Sequence, residues 1–495
     1  MIRVYFDWNI ITELKKPDGG KHAGIKGLIE KHRAALLTPF SNYHVEDLIK
    51  NNKTKERLDT FVKRDLEYLE ELSQNHFLGE DAKGNVLAQI GSPLKFLDTI
   101  EEDEACIEEL LDMENILSSF DALDLGEDQI KLSDVFKNIY KLQPVPEDIK
   151  EMPSAPLVAK FFPNLDQAEN YWDIIKDFGN FNKSLFSDKN FLKEYRLGVQ
   201  EVSLELEANP GTWETDNVIE NITKGLHTKG IKTTFSELIE SSLKYQKNVT
   251  RSLHFCTAYL MLDFYGYQSD KLPKPTNSFQ NITNDAHHSF LAAHCDILVS
   301  EDKALIAKSK VLYKEYSVNT LVLTAKEFEE QIEGLIHYPI GNPNDAFQHA
   351  IEFLNNDNFL ESARNEGENI LLRDIFKLPM FYFNYFNYLI YEKVEEGLSM
   401  LTFRKVYKNY SDFVYYTENI QLLKKLFECL GQPNDNLSYD EVEKELVFSQ
   451  NTELKNIIWS FDEVHFIIRR EIKESKLCLI IVVNNKNSET PPVDT

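Results

Sequence analysis

The sequence predicts an α/β fold in which a parallel sheet flanked by helices is assembled from two separated parts of the chain. Short apolar, β-branched segments alternate with helical patterns near the start, and the same alternation returns at about residue 281. Most of the chain between these parts has the pattern of amphipathic helix. We therefore expect a discontinuous α/β domain, a mostly α-helical insertion and a C-terminal α+β region, with the bounds 1–58 and 271–336, 59–270, and 337–495.

The first part of the α/β domain predicts two parallel strands. The segment from Ile2 to Phe6 is apolar, β-branched and aromatic, and it ends at Asp7, which indicates a buried strand. A short apolar run that ends at Pro39 indicates a second strand, and strand–helix–strand order implies a right-handed crossover. The expected elements are strands over Ile2–Phe6 and Ala35–Pro39, and helices around Leu14, over Ile25–Arg33 and after Ser41.

The second part restores the same alternation. Thr283, Asn284 and Asp285 are typical of a helix start, so we expect Asp285 to open a helix and to be stabilised there by the helix dipole. A strand should follow it and end just before Asp302. The expected later elements are a strand over Ile297–Val299, a helix over Lys303–Tyr316, a strand over Thr320–Leu323 and a helix over Lys326–Ile336.

The C-terminal region carries no motif with recognisable chemistry. An aromatic-rich stretch around Met380 to Tyr391 predicts a helix, and apolar runs at Val464 to Ile468 and Leu477 to Val483 predict a hairpin. Core packing is the expected role of the aromatic cluster, with base stacking as the alternative. The cluster comprises Phe381, Tyr382, Phe383, Tyr385, Phe386 and Tyr388.

The net charge of −27 is unusual for a protein that binds nucleic acid, because phosphates attract basic side chains. Its distribution is uneven: residues 1–60 and 271–330 together hold 18 basic and 16 acidic side chains, so the acidity lies elsewhere. The five cysteines have no paired spacing, which indicates buried thiols rather than disulfides or a zinc site. Without a signal-peptide pattern or a long apolar run, we expect a cytoplasmic protein with no membrane partner.

Four aspartates follow the predicted strands or begin the helices beside them. Ligands of a parallel sheet bind outside the carboxyl ends of its strands, which is where Asp7 and Asp302 fall. Asp47 lies one turn into the helix after the second strand, and Asp285 faces the same crevice. Because converging carboxylates repel unless a cation neutralises them, and oxygen ligands favour Mg²⁺ or Mn²⁺, we expect one or two such ions.

These motifs resemble the acidic series of the PIN-domain nuclease family over about a quarter of the chain. The matching segments are FDWN, then PFS-x-x-H-x-x-D-L, then ND-A-x-H, and finally CD-I-L-V-S-x-D. The resemblance implies a PIN-like fold in which Asp7, Asp47, Asp285 and Asp302 are the catalytic metal ligands. Glu46 is the alternative to Asp47, and helical geometry allows only one of these neighbours to face the site.

Other residues within the motifs have expected supporting roles. Asp296 is a further metal-ligand candidate, although its place before a strand favours a structural hydrogen bond. Lys303 and Lys308 are candidate phosphate contacts near the fourth acid. The remaining supporting residues, for which hydrogen bonding around the carboxylates is expected, are Asn9, Ser41, His44, His288 and Ser300.

The resemblance implies hydrolysis of phosphodiesters by a metal-activated water, leaving 5′-phosphate and 3′-hydroxyl ends, with RNA as the favoured substrate. Proteins of this family serve as toxins, defence effectors and RNA-processing factors. The alternatives are a catalytically weak PIN-like scaffold or a DNA nuclease. The insertion and the C-terminal region are expected to hold any protein partner or homo-oligomer contact.

Overall fold

The structure is a computed structural model, and it describes residues 1–50, 58–81, 83–96, 132–146, 156–204, 209–244, 246–268, 279–337, 341–362, 372–395, 398–405, 413–448, 455–471 and 476–484. No helix in these ranges is both long and apolar enough to cross a membrane. Four of the cysteines are buried thiols, as expected, and they are Cys256, Cys295, Cys429 and Cys478; Cys106 lies outside the described residues.

Strands and helices alternate in the two segments that form the α/β core, and the described residues between these segments are mostly helical. The strands are β1 Ile2–Phe6, β2 Leu36–Leu37, β3 His76–Glu80, β4 Val86–Ile90, β5 Ile297–Val299, β6 Leu321–Leu323, β7 Phe359–Ser362, β8 Leu372–Tyr382, β9 Phe386–Glu395, β10 Leu398–Arg404, β11 Ile457–Phe461, β12 Val464–Arg470 and β13 Leu477–Asn484. The helices are α1 Trp8–Leu14, α2 Ala23–Lys31, α3 Asn42–Lys50, α4 Lys63–Ser73, α5 Leu132–Leu142, α6 Pro156–Phe161, α7 Tyr171–Ser187, α8 Lys189–Ser203, α9 Val218–Thr228, α10 Phe235–Leu243, α11 Arg251–Phe264, α12 Phe279–Ala292, α13 Lys303–Glu315, α14 Ala325–Leu335, α15 Pro343–Glu352, α16 Tyr416–Leu430 and α17 Tyr439–Glu443.

A four-stranded parallel sheet joins the two parts of the chain that the sequence assigned to one domain. Its strand order is β2–β1–β5–β6, and every neighbouring pair is parallel. Tyr5 of β1 is in register with Leu298 of β5, so the start of the chain pairs with a segment almost 300 residues later. The prediction of a discontinuous α/β core with a parallel sheet is therefore confirmed.

Helix α12 differs from its predicted start. Within the described residues it begins at Phe279, so Asp285 lies in its second turn and the expectation that Asp285 opens the helix is wrong. Phe279, Ile282 and Ala286 are buried at helical spacing, which extends the apolar face upstream. Thr283 donates its hydroxyl to the carbonyl oxygen of Phe279 at 3.0 Å, so it bonds back into the helix instead of capping it.

The part of the insertion that the structure describes is mostly helical, as expected, but it also contains the β3–β4 hairpin. Phe40, just after β2, pairs with Phe77 of this hairpin. Helices α8 to α11 share one hydrophobic core with α12, α13 and β5, in which Phe255 and Phe290 are fully buried. A separate core lies on the other face of the sheet, beneath α1, α2, α4 and α14. The insertion thus forms one layer of the α/β core.

The C-terminal region contains a seven-stranded antiparallel sheet of order β11–β12–β13–β10–β9–β8–β7. The predicted β12–β13 hairpin is confirmed, whereas the helix expected over Met380–Tyr391 is wrong. Phe383 and Asn384 adopt φ values of +53° and +55°, so the chain reverses into a β8–β9 hairpin. All six aromatic side chains of the cluster are buried, which supports the expected core role.

Four buried charged side chains join the parallel sheet to the C-terminal region. The Arg3 guanidinium contacts the Glu418 carboxylate at 2.8 Å and donates to the carbonyl oxygen of Phe413 at 2.8 Å. Lys405 pairs with the same carboxylate and lies 3.5 Å from Asp296. Burial alone would raise the pKa of Glu418, but the two cations hold it at about 2. Glu418 therefore remains ionised in the interior.

We expect the Glu418→Gln substitution to destabilise the protein by about 3–5 kcal/mol, because it removes the carboxylate that pairs with both buried cations, and the charge of Asp296 near Lys405 does not balance the two of them. The measurement is the urea midpoint of unfolding followed by circular dichroism. Glu330→Gln is the matched control, since Glu330 forms an exposed pair with Lys326 and its loss should cost less than about 1 kcal/mol. Equal midpoints for the two variants would contradict the role given to the buried cluster.

Candidate functional site

Asp7 lies at the carboxyl end of β1 and is almost fully buried. Its backbone N–H donates to the carbonyl oxygen of Val299 at 3.0 Å, which holds it beside the end of β5. The Ser300 hydroxyl donates to the Asp7 carboxylate at 2.6 Å, and the Asn9 amide donates to the same oxygen. Asn9 also accepts a hydrogen bond from the backbone N–H of Glu301 at 3.3 Å. The expected supporting roles of Asn9 and Ser300 match these contacts.

Asp302 stands where β5 gives way to α13 and caps that helix. One carboxylate oxygen, Oδ1, accepts from the backbone N–H groups of Ala304 at 2.7 Å and Leu305 at 3.0 Å. Its own N–H donates to the Ser300 hydroxyl at 2.9 Å. Within the described residues, no hydrogen bond reaches the second oxygen, Oδ2. The cap therefore fixes the carboxyl group while one oxygen faces outward.

Asp285 is partly exposed on α12, and its carboxylate lies in the field of the other acids. Burial raises the pKa of Asp285 well above its ordinary value, and Asp302, Asp7 and Asp47 raise it further. Asp7 behaves in the same way: burial raises its pKa, and the charges of Asp47 and Asp302 add to the effect. The predicted acids are therefore close enough to repel one another.

Asp47 is held by two side chains of α12. The Asn284 amide donates to Oδ1 at 2.8 Å, and the His288 ring contacts Oδ2 through Nε2 at 3.1 Å. The alternative acid, Glu46, instead accepts from Asn42 of its own helix at 3.1 Å. Asp47 is thus the acid that shares the crevice with α12, in agreement with the choice made from the sequence.

Asp47 and His288 stabilise each other's charged forms. Burial would raise the pKa of Asp47, but the hydrogen bond and charge of His288 lower it below its ordinary value. Burial would lower the pKa of His288, but the hydrogen bond and charge of Asp47 raise it. Both shifts favour the charged forms, so Asp47 differs from Asp7 and Asp285, whose shifts favour the neutral form.

A buried hydrogen-bond chain runs from His288 to the backbone beside Asp7. Nδ1 of His288 lies 2.7 Å from the Tyr5 hydroxyl, and that hydroxyl lies 2.8 Å from the Ser41 hydroxyl, so both pairs are hydrogen-bonded. Ser41 is 3.1 Å from Nδ1 of His44, and Nε2 of His44 donates to the Phe6 carbonyl oxygen at 2.8 Å. Burial lowers the pKa of His44 to about 3, so its neutral ring can accept at Nδ1. Both histidines therefore support the acidic site through buried hydrogen bonds, which is the structural role expected of them.

Three weaker candidates have different outcomes. Lys303 is exposed beside Asp302, where a phosphate could reach it. The expectation that Lys308 contacts phosphate is wrong, because its buried ammonium pairs with Asp263 at 2.5 Å. Asp296 is not a ligand candidate in this geometry: it accepts from the backbone N–H of Arg3 at 2.7 Å, at the amino end of β5. Its structural role was the favoured interpretation of the sequence.

Tyr5 and Asn284 are site residues that the sequence analysis did not identify. Tyr5 sits inside an apolar strand, where its hydroxyl gives no local sign of a polar partner 283 residues away. Asn284 and His288 are four residues apart in sequence, the spacing that places two side chains on one helix face. That spacing was an available signal, but the contact with Asp47 depends on packing of α12 against α3.

Removal of the Tyr5 hydroxyl should destabilise the protein, because it takes a buried partner from Nδ1 of His288 and another from the Ser41 hydroxyl, which keeps only its contact with His44. We expect Tyr5→Phe to cost about 1–3 kcal/mol, measured as a lower melting temperature. Tyr439→Phe is the control, since Tyr439 is half-buried and its hydroxyl donates to the Ile420 carbonyl oxygen at a longer distance of 3.4 Å. Equal melting temperatures for the Tyr5→Phe and Tyr439→Phe variants would show that this chain of hydrogen bonds contributes little to stability.

Among the described residues, no group of three or more histidine, cysteine, aspartate or glutamate side chains stands close enough to hold a metal ion. No family model, curated protein or solved structure matches the chain. What the site can do therefore follows from its own geometry and charge.

Proposed function

We propose that this protein is a metal-dependent nuclease with a PIN-like core, and that it hydrolyses phosphodiester bonds of RNA. The observation that carries the proposal is that Asp7 and Asp302 follow the parallel strands β1 and β5, and that burial and the charges of both raise the pKa of Asp285 on α12. Asp7 comes from the first strand, and the other two come from a segment about 280 residues later. Three carboxylates that raise one another's free energy need a counter-charge.

The donor chemistry of this crevice fits a divalent cation with oxygen ligands. Asp7, Asp47, Asp285 and Asp302 would hold it. Burial and then the charges of the neighbouring acids raise the pKa values of Asp7 and Asp285, and a cation would offset both effects. Side-chain movements would have to bring the oxygens together, since no such group stands ready among the described residues. A bound Mg²⁺ or Mn²⁺ would activate water and stabilise the charge that develops on phosphate oxygens.

The chain's own residues would orient the reactants. Ser300 and Asn9 hold one oxygen of Asp7, and the cap of α13 holds one oxygen of Asp302, so each of these carboxylates is anchored through one oxygen. Asp285, with its raised pKa, is the group suited to accept a proton from the attacking water. Exposed Lys303 would contact a phosphate of the bound strand.

One prediction from the proposed function concerns the cleavage of RNA. Purified protein should cut labelled single-stranded RNA with Mn²⁺ or Mg²⁺ and not with EDTA. We expect Asp7→Asn, Asp285→Asn and Asp302→Asn each to reduce the rate by more than about 100-fold, since residues that merely orient ligands already contribute about 10–100-fold. Asp216→Asn is the matched control, because Asp216 is an exposed partner of Lys314 and should retain full activity.

Other outcomes of this assay have definite meanings. Cleavage of DNA alone would keep the site and change the substrate. Equal activity in all variants would identify a contaminating nuclease. No cleavage of either polymer, together with no Mn²⁺ binding by calorimetry, would reject the proposal and leave a PIN-like scaffold as the function.

Another prediction from the proposed function concerns the protons that are released when Mn²⁺ binds. Because the pKa values of Asp7 and Asp285 are raised, these carboxyls hold protons at a pH where ordinary carboxyls are ionised. Mn²⁺ binding must displace these protons, so the affinity should rise with pH through the raised pKa values and level off above them. Calorimetry in two buffers of different ionisation enthalpy measures the release directly.

The matched variant for this measurement is Asp285→Asn, which should release fewer protons on binding Mn²⁺. Asp216→Asn should behave as the unmodified protein does. Identical heats in both buffers would contradict the coupling between cation binding and carboxyl ionisation.

A further inference from the structure

A second cleft lies away from the acidic site and has the opposite charge. Its volume is about 980 Å³, and its wall and floor come from the turn between β3 and β4, the loop before α11 and the end of α12. Phe290 and His294 form part of the lining. His294 precedes β5, whereas Asp302 follows it, so the cleft is at the opposite edge of the sheet from the carboxylates.

The charge of the cleft is positive. Lys83 lines it from the hairpin turn, Lys247 and Arg251 line it from the segment at the start of α11, and no carboxylate is among the lining residues that the structure describes. Asp81 is the nearest acid along the hairpin turn, and its Oδ1 accepts from the backbone N–H groups of Lys83 and Asn85, both at 2.8 Å. In a chain of net charge −27, three cations around one cleft indicate an anionic ligand.

Backbone geometry brings the two sides of the cleft together. Gly84 has a φ of +75°, and a Cβ at this position would lie 2.4 Å from the Thr250 side chain. Only glycine therefore lets the hairpin turn approach Thr250, which caps the fourteen-residue helix α11. The positive end of that helix dipole adds to the charge of Arg251, its first residue.

The floor of the cleft is polar but uncharged. Burial lowers the pKa of His294 to about 3, and the positive charges of Arg3 and Arg251 lower it as well. The His294 carbonyl oxygen accepts from the Arg3 guanidinium at 3.0 Å, so the floor rests on the buried ion cluster. A ligand in the cleft would thus meet cations at the rim and a neutral, rigid surface beneath.

We propose that this cleft binds a small phosphate-bearing molecule of the size of a nucleoside polyphosphate. The volume is at the upper end of the usual range for small-molecule sites, and cations from two segments of the chain line the cleft. A nucleic-acid strand would instead require a basic groove that continues along its backbone. The proposal is independent of the nuclease assignment, because it concerns other residues at the other edge of the sheet.

The test uses the full chain in EDTA, which removes any contribution of the acidic site. Tripolyphosphate and ATP are titrated by calorimetry at fixed salt, together with a short single-stranded RNA. We expect Lys83→Ala combined with Lys247→Ala to weaken binding of both small anions by at least about 10-fold, because charge-assisted contacts to phosphate are lost. Both lysines are exposed, so the variant should fold.

The matched control is Lys229→Ala combined with Lys232→Ala, which removes the same charge from exposed positions outside the cleft. Its affinity for both anions should equal that of the unmodified protein. Tighter binding of ATP than of tripolyphosphate would support a nucleotide, and equal binding would support an inorganic polyanion in the same cleft. The proposal is overturned if neither anion binds, if the two double variants lose affinity equally, or if RNA alone depends on the cleft lysines.

Discussion

The two-residue period of β1 is the constraint on which the rest of the structure depends. Ile2, Val4 and Phe6 point into one hydrophobic core, so the side chains at positions 3, 5 and 7 must emerge on the other face. All three are polar, and each organises a different region. Arg3 holds the C-terminal region, Tyr5 links α12 to α3, and Asp7 lies at the carboxyl edge. A one-residue change of register would undo all three.

The two ends of this strand differ in how their charges are balanced. At the amino end Arg3 and Lys405 surround Glu418, and the pKa of Glu418 falls to about 2 because both neighbours are cations. At the carboxyl end the neighbours of Asp7 and Asp285 include other carboxylates, and both pKa values rise. Folding thus pairs opposite charges at one edge of the sheet and leaves carboxylates that repel one another at the other edge. Unrelieved repulsion is typical of functional sites, where stability is lost for the sake of binding.

Sequence patterns predicted the elements whose cause is local. The apolar runs gave β1 and β5 with the observed bounds, and the acids at their ends follow from the same reasoning. Local patterns failed where a partner elsewhere decides the conformation. Asn284 resembles a helix cap, yet it bonds to Asp47, 237 residues away. The aromatic stretch from Met380 contains no turn signal stronger than Asn384. The side-chain amide of Asn384 donates to the carbonyl oxygen of His337, and this contact stabilises the turn between β8 and β9.

The carboxylates of the candidate site fall into two groups by the direction of their pKa shifts, and this difference affects how a cation would bind. The pKa of Asp47 is lowered because His288 bonds to it, while burial and the neighbouring acids raise the pKa values of Asp7 and Asp285. Groups with opposite pKa shifts in one crevice commonly have different tasks. On the proposed function, Asp47 would provide a permanent negative charge that attracts the cation, and the other two would ionise as it arrives. Since His288 also bonds to Tyr5, this division of tasks depends on the same strand face that carries Arg3 and Asp7.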